Sequence, residues 1–197
     1  MARLSLSFLG PPQIRIDGNP IKLETNRVMA LLAYLAVEQK QVRRDTLVLL
    51  LWPDCEPSQG RTLLRQTLYS LKKGLSGDWL SSNRDAIAIR DGDDLWIDVL
   101  QFRDLITSCM THEHSDAEIC RKCQKPLTEA VSLYNDDFLS GWSLKDSVNF
   151  DDWIVTQAEN LRLAYENALH GLIRCLSDQE QYTRQLSTQE TGLRKTE

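Results

Sequence analysis

The chain has 197 residues, 42% of them hydrophobic and 26% charged, which suits one or two globular domains and excludes a disordered chain or a coiled-coil rod. Its longest apolar run falls short of the roughly 20 residues that cross a bilayer, and the opening MARLSLSFLGPP lacks the make-up of a secretory leader. A cytoplasmic protein with no membrane partner is therefore expected. The formal charge of −5 argues against nucleic acid as a partner, yet it is unevenly spread: residues 1–98 sum to +1 and residues 99–197 to −6. A neutral first half and an acidic second half suggest two separate tasks.

Residues 4–9 and 13–16 alternate as strands, Asp17-Gly18 is a turn signal, and Ile21 and Leu23 continue a small antiparallel sheet. Thr25 is a suitable N-cap for a helix whose apolar face is Val28, Leu31, Leu32 and Leu35. A second helix runs from Arg44 or Asp45 to Trp52, where Pro53 ends it. A third, opening at Ser58 or Gly60, covers residues 61–75 with a buried stripe of Leu64, Leu68, Leu71 and Leu75. The runs Ile87–Ile89 and Leu95–Ile97, with Gly92 between them, read as a hairpin. Strands, three helices and a hairpin are the order of a winged helix-turn-helix with a leading sheet. From residue 99 the pattern is helical, ending in a long helix over 153–176 and a polar tail over 178–197. Trp142, Phe150 and Trp153 are expected in the core of that second domain.

The third helix carries the clearest functional signal. Its outer face holds Arg61, Arg65, Gln66, Tyr69, Ser70, Lys72 and Lys73, and no acidic residue falls between Arg61 and Lys73. Arginine chelates guanine edges, glutamine pairs with adenine, and lysine meets phosphate. Arg43 and Arg44, at the start of the preceding helix, suit backbone phosphate. The bland reading is a solvated face of an amphipathic helix, and charge alone does not separate the two.

The stretches LSLSFLGPPQIRIDG (4–18), ALLAYLAV (30–37), LLWPD (50–54), RTLLRQTLYSLKKGL (61–75) and AIAIRDGDDLWIDV (86–99) occur in one order and spacing. In that order they resemble the winged-helix DNA-binding domain of the SARP-type bacterial transcriptional activators. LTEAVSLYNDDFLSGW (127–142) and FDDWIVTQAENLR (150–162) resemble the start of the bacterial transcriptional activation domain that follows it. The resemblance implies a mainly α fold with a small β component. A winged helix-turn-helix with an N-terminal antiparallel sheet and a C-terminal hairpin wing (1–98) would precede an all-α, TPR-like domain (99–177), shortened relative to the family, and a tail (178–197). It implies that the third helix enters the major groove. Arg61, Arg65, Gln66 and Tyr69 would then lie on base edges, with Ser70 varying the sequence preference. Arg43, Arg44, Lys72, Lys73 and Arg90 would lie on phosphate, with Arg84 also flanking the wing. The partners implied are double-stranded promoter DNA carrying direct repeats, RNA polymerase, and a second copy on the DNA. The function is then transcriptional activation by binding, without catalysis.

Other chemistry finds little support. There is no Gly-rich phosphate loop of the G-x-x-x-x-G-K type and no G-x-S-x-G elbow. The pairs Asp93-Asp94, Asp136-Asp137 and Asp151-Asp152 sit where carboxylates cap turns and helices. Five cysteines in a reducing compartment do not suggest a disulfide framework, and Cys55 and Cys175 read as small buried hydrophobes. The segment CMTHEHSDAEICRKC (109–123) is different. His112, His114, Cys120 and Cys123 have the residue types and spacing of a tetrahedral structural zinc site, with Cys109 as a substitute ligand. A plain polar loop and a redox dithiol are the alternatives. A protein-interaction module with a zinc-stabilised helical domain is the rival to the regulator. Bound zinc predicts one equivalent of metal in reduced, purified protein by elemental analysis; a value far below one removes it.

Overall fold

The computed structural model describes residues 3–110 and 121–193, with side chains described over 3–110 and 122–177. Its elements, in chain order, are β1 (Leu4–Ser7), β2 (Gln13–Ile16), β3 (Asn19–Ile21), α1 (Asn26–Glu38), β4 (Val42–Arg43), α2 (Arg44–Leu51), α3 (Pro57–Leu75), β5 (Leu80–Ser82), β6 (Ala86–Ile89), β7 (Leu95–Ile97), α4 (Asp98–Met110), α5 (Arg121–Leu133) and α6 (Val148–Leu193). The chain packs as two compact units, residues 1–101 with 135–161, and residues 102–134 with 162–197. The sequence reading divides it instead at residues 98 and 177. Helix α6 extends through residues 178–193, where the sequence predicts a polar tail.

In the first unit, β1 pairs antiparallel with β2, and β2 with β3. Asp17 and Gly18 make the turn with φ of 51° and 79°, the positive pair that a tight hairpin demands. The fourth strand of this sheet is β7, which runs parallel to β1 with Leu4 opposite Leu95. The expected hairpin of 87–89 with 95–97 is therefore not formed. The wing is β5 with β6, antiparallel, with β4 on the other edge of β6. The turn signal at Gly92 is real, but the apolar 95–97 run finds its partner in the N-terminal strand. Alternation identifies a strand without naming its neighbour.

Between β1 and β7 lie the three helices. Thr25 caps α1, accepting from the Val28 N–H at 3.3 Å, and α1 is buried along almost its whole length. Helices α2 and α3 cross at Gly60, where an added Cβ would lie 2.3 Å from Val48 Cγ1; only glycine admits that approach. Pro57 occupies the first turn of α3 and left-handed Ser76 closes it.

The last carbonyls of α2 need partners from outside the helix. Asn149 Nδ2 donates to Leu49 O at 2.8 Å, Ser147 Oγ donates to Leu50 O at 2.6 Å, and Arg27 donates to Leu51 O while lying over the Trp52 ring. Trp153 packs at 5.0 Å from Tyr34 and donates from Nε1 to Glu38 at 2.9 Å. Phe138, Phe150 and Trp142 complete that aromatic cluster. The three aromatic residues expected in the second domain thus belong to the first unit. Cys55 is half-buried, as is Cys175 in the second unit; neither is fully enclosed. In that second unit, Tyr134 stacks on Tyr165 and meets Phe102 at a tilt, and Cys109, Cys123, Leu127, Ala168 and Leu172 form an apolar cluster.

Asp98 is 3% exposed. One carboxylate oxygen accepts from the Phe8 and Leu9 N–H groups at 2.7 and 2.8 Å, the other from Val99 N–H at 2.7 Å. Burial nevertheless outweighs these bonds and pushes its pKa up to about 6. A raised acid pKa makes the native state favour the protonated form. The stability this contributes is full below the ordinary carboxylate range and is lost as pH rises through about 6. In urea denaturation, the wild type should therefore lose about 2 kcal/mol relative to Asp98→Asn between about pH 4.5 and 7. Parallel pH profiles for the two proteins contradict this assignment.

Candidate nucleic-acid interface

The N-terminus of α2, the first half of α3 and the turn between β5 and β6 surround a groove of about 450 Å³. Arg43, Arg44, Arg61, Arg65 and Arg84 line it, with Asp45, Asp85 and Leu64. Three elements distant in sequence thus bring five guanidinium groups to one place, against two carboxylates. Such a concentration of one sign focuses potential and draws an anionic partner.

The arginines are held to different degrees. Arg44 is the most constrained: its guanidinium donates twice to Asn83 O, at 3.1 and 3.0 Å, and its N–H donates to Asp85 O at 2.9 Å. The wing turn is itself ordered by Asn83 Oδ1, which accepts from the N–H groups of Asp85 and Ala86 at 2.8 and 2.7 Å. Arg61 reaches Asp45 Oδ1 from Nε and from a terminal nitrogen, both at 3.0 Å. Both partners are more than half exposed, so the pair adds little to stability and its main effect is to orient the guanidinium. Arg65 lies one turn further on, with Nε 3.4 Å from Arg61 O and a terminal nitrogen 3.3 Å from Thr62 Oγ1.

Helical spacing continues the face outward. Tyr69 follows Arg65 by four residues and is 71% exposed, and Lys72 and Lys73 are exposed in the last turn. Cations there also complement the helix dipole. Gln66 and Ser70 sit on the other flank of α3 and line a separate cleft with Thr25, Trp52 and Lys145. Arg90 is at the far end of β6 from the wing turn and pairs with Asp78 at 2.6 Å. The structure thus gathers Arg43, Arg44, Arg61 and Arg65, extends them with Tyr69, Lys72 and Lys73, and leaves Arg90 apart. Arg84 joins the groove because the wing is β5–β6, a pairing that residues 80–82 signal weakly. The role of Asp45 as partner of Arg61 has no local sequence signal, since sixteen residues separate them.

Of the zinc set, His112, His114 and Cys120 lie outside the described residues, and only Cys123 can be placed, inside the apolar cluster of the second unit. Among the described residues no group of three metal-ligating side chains comes together. No helix among them is long and apolar enough to cross a membrane.

No protein-family model matches the chain. A stretch of 76 residues is 36% identical to the transcriptional regulatory protein EmbR of Mycobacterium bovis, and equally to that of two strains of Mycobacterium tuberculosis. The stretch is 38% of this chain and 20% of each relative. The solved structure of Mycobacterium tuberculosis EmbR in complex with a low-affinity phosphopeptide superposes with a TM-score of 0.65 at 20% identity, covering 97% of this chain. The chain is similar to SARP-type regulators in sequence and in fold. It spans about half, 52%, of that solved chain.

If the groove binds duplex DNA and Asp45 orients Arg61, Asp45→Ala should raise affinity for non-cognate duplex DNA and narrow the gap between cognate and non-cognate binding. Removing a carboxylate relieves repulsion while freeing the guanidinium. Fluorescence anisotropy on both duplexes reads this out; an equal gain on both leaves the gap intact and assigns Asp45 to repulsion alone.

Proposed function

We propose that the protein is a sequence-specific, DNA-binding transcriptional regulator that makes and breaks no covalent bond. The observation that carries this reading is the five-arginine groove formed by α2, α3 and the wing turn. In this reading α3 lies in the major groove. Arg61, Arg65 and Tyr69 approach base edges, with Gln66 and Ser70 on the flank. Arg43, Arg44 and Arg84 hold the phosphate strand at one side of the helix, and Lys72 and Lys73 hold it near its end. The naming of the relatives as transcriptional regulatory proteins supports the same reading. The helical second unit, of TPR type, would then serve protein contacts: RNA polymerase, or another copy on promoter repeats.

Base and phosphate contacts differ in what they do to binding. Arg65→Ala should cost about 1–3 kcal/mol on the cognate duplex and little on random duplex. Lys73→Ala should weaken both alike and lower the salt slope by about 1. Titrations by anisotropy at several salt concentrations separate the two. Unchanged cognate affinity in Arg65→Ala would falsify the placement of α3 on base edges, and absence of any DNA binding favours the protein-interaction module.

A further inference from the structure

The second unit gathers three of the five cysteines into one apolar cluster. Cys109 lies in the last turn of α4 and Cys123 in the first turn of α5, both buried with Leu127, Ala168 and Leu172; Cys175 of α6 packs against them. The Cys109 thiol lies 3.9 Å from the carbonyl oxygen of Cys123, and the Cys123 thiol lies 3.9 Å from that of Cys109. This reciprocity sets each side chain against the other's backbone and brings the two helix ends together, the proximity from which a disulfide can close once the side chains turn toward each other. A cysteine can serve a core simply as a small hydrophobe. Here the two lie together between the end of one helix and the start of the next, and the adjoining Met110 is 78% exposed, so solvent begins one residue away. Helix ends also open locally at low cost.

We propose that Cys109 and Cys123 are a redox-active thiol pair that closes to a disulfide by exchange with a low-molecular-weight disulfide. The thiolate of one cysteine attacks the S–S bond of the reagent, forms a mixed disulfide and expels one reagent thiolate. The second cysteine's thiolate attacks the protein-side sulfur of that mixed disulfide, forms the Cys109–Cys123 bond and expels the other reagent thiolate. The two cysteine protons end on the two released thiols. The protein loses two electrons, and the reagent disulfide gains them. The bridge fastens the end of α4 to the start of α5 and constrains the unfolded chain. It also takes Cys123 out of any metal shell, so the bridge and a zinc site built on Cys123 exclude each other.

The test uses the full chain, incubated with oxidised glutathione in the presence of a chelator, then acid-quenched, alkylated, digested and mapped by mass spectrometry. The expected result is a crosslinked peptide pair containing Cys109 and Cys123, with two thiols lost and both recovered in dithiothreitol. Cys120→Ala should retain the bridge and Cys109→Ala should lose it. Should Cys109→Ala not fold, the wild type alone decides, because oxidation should raise its melting temperature by several degrees. A bridge between Cys120 and Cys123, glutathione adducts without a bridge, or an unchanged melting temperature overturns the proposal.

Discussion

Helix α2 is eight residues long, too short to persist without tertiary support, and it ends in carbonyl groups that must find donors. Those donors come from outside the helix-turn-helix: Arg27 at the start of α1, and Ser147 and Asn149 where α6 begins. The rest of the first unit follows from that requirement. Residues 135–161 return to it, their aromatic side chains pack on Tyr34 and Phe8, and Trp153 ties down the end of α1 through Glu38. With α2 fixed at its C-terminus and Gly60 letting α3 close on it, the arginines at the N-terminus of α2 acquire a defined position relative to those of α3.

Electrostatics is arranged locally within an acidic chain. The groove carries five arginines and two aspartates. One aspartate pairs directly with Arg61 of α3, while the backbone carbonyl of the other receives Arg44's N–H. Asp45 directs the Arg61 guanidinium more than it stabilises the fold, since exposed ion pairs contribute little, and the Arg44 guanidinium is directed by the carbonyl of Asn83. Net charge therefore misleads in this chain: the pertinent quantity is the sign of the potential over one face of α3 and the wing turn.

The sequence makes the helices and the basic face of α3 readable, because Leu64, Leu68 and Leu71 repeat at helical spacing and leave Arg61, Arg65 and Tyr69 exposed beside that stripe. Thr25 as cap and Asp17-Gly18 as turn were equally legible, each resting on short-range chemistry. What the residues do not encode locally is partnership across long separations. Strand 95–97 pairs parallel to 4–7, which alternation cannot specify. Trp142, Phe150 and Trp153 read as core of the second domain, yet they lie in the first unit, where Ser147 and Asn149 are needed at the end of α2. Arg84 and Arg90 look alike in sequence, on either side of β6, yet only Arg84 reaches the groove, because the turn and not the strand end faces α2.

The most direct measurement is selection of the purified full chain against random duplex DNA, sequenced after enrichment, at two salt concentrations. A groove that reads base edges and holds phosphate predicts an enriched motif whose affinity falls steeply as salt rises. Absence of binding at both salt concentrations would contradict the account, and salt-sensitive binding without enrichment would confine α3 to phosphate contacts.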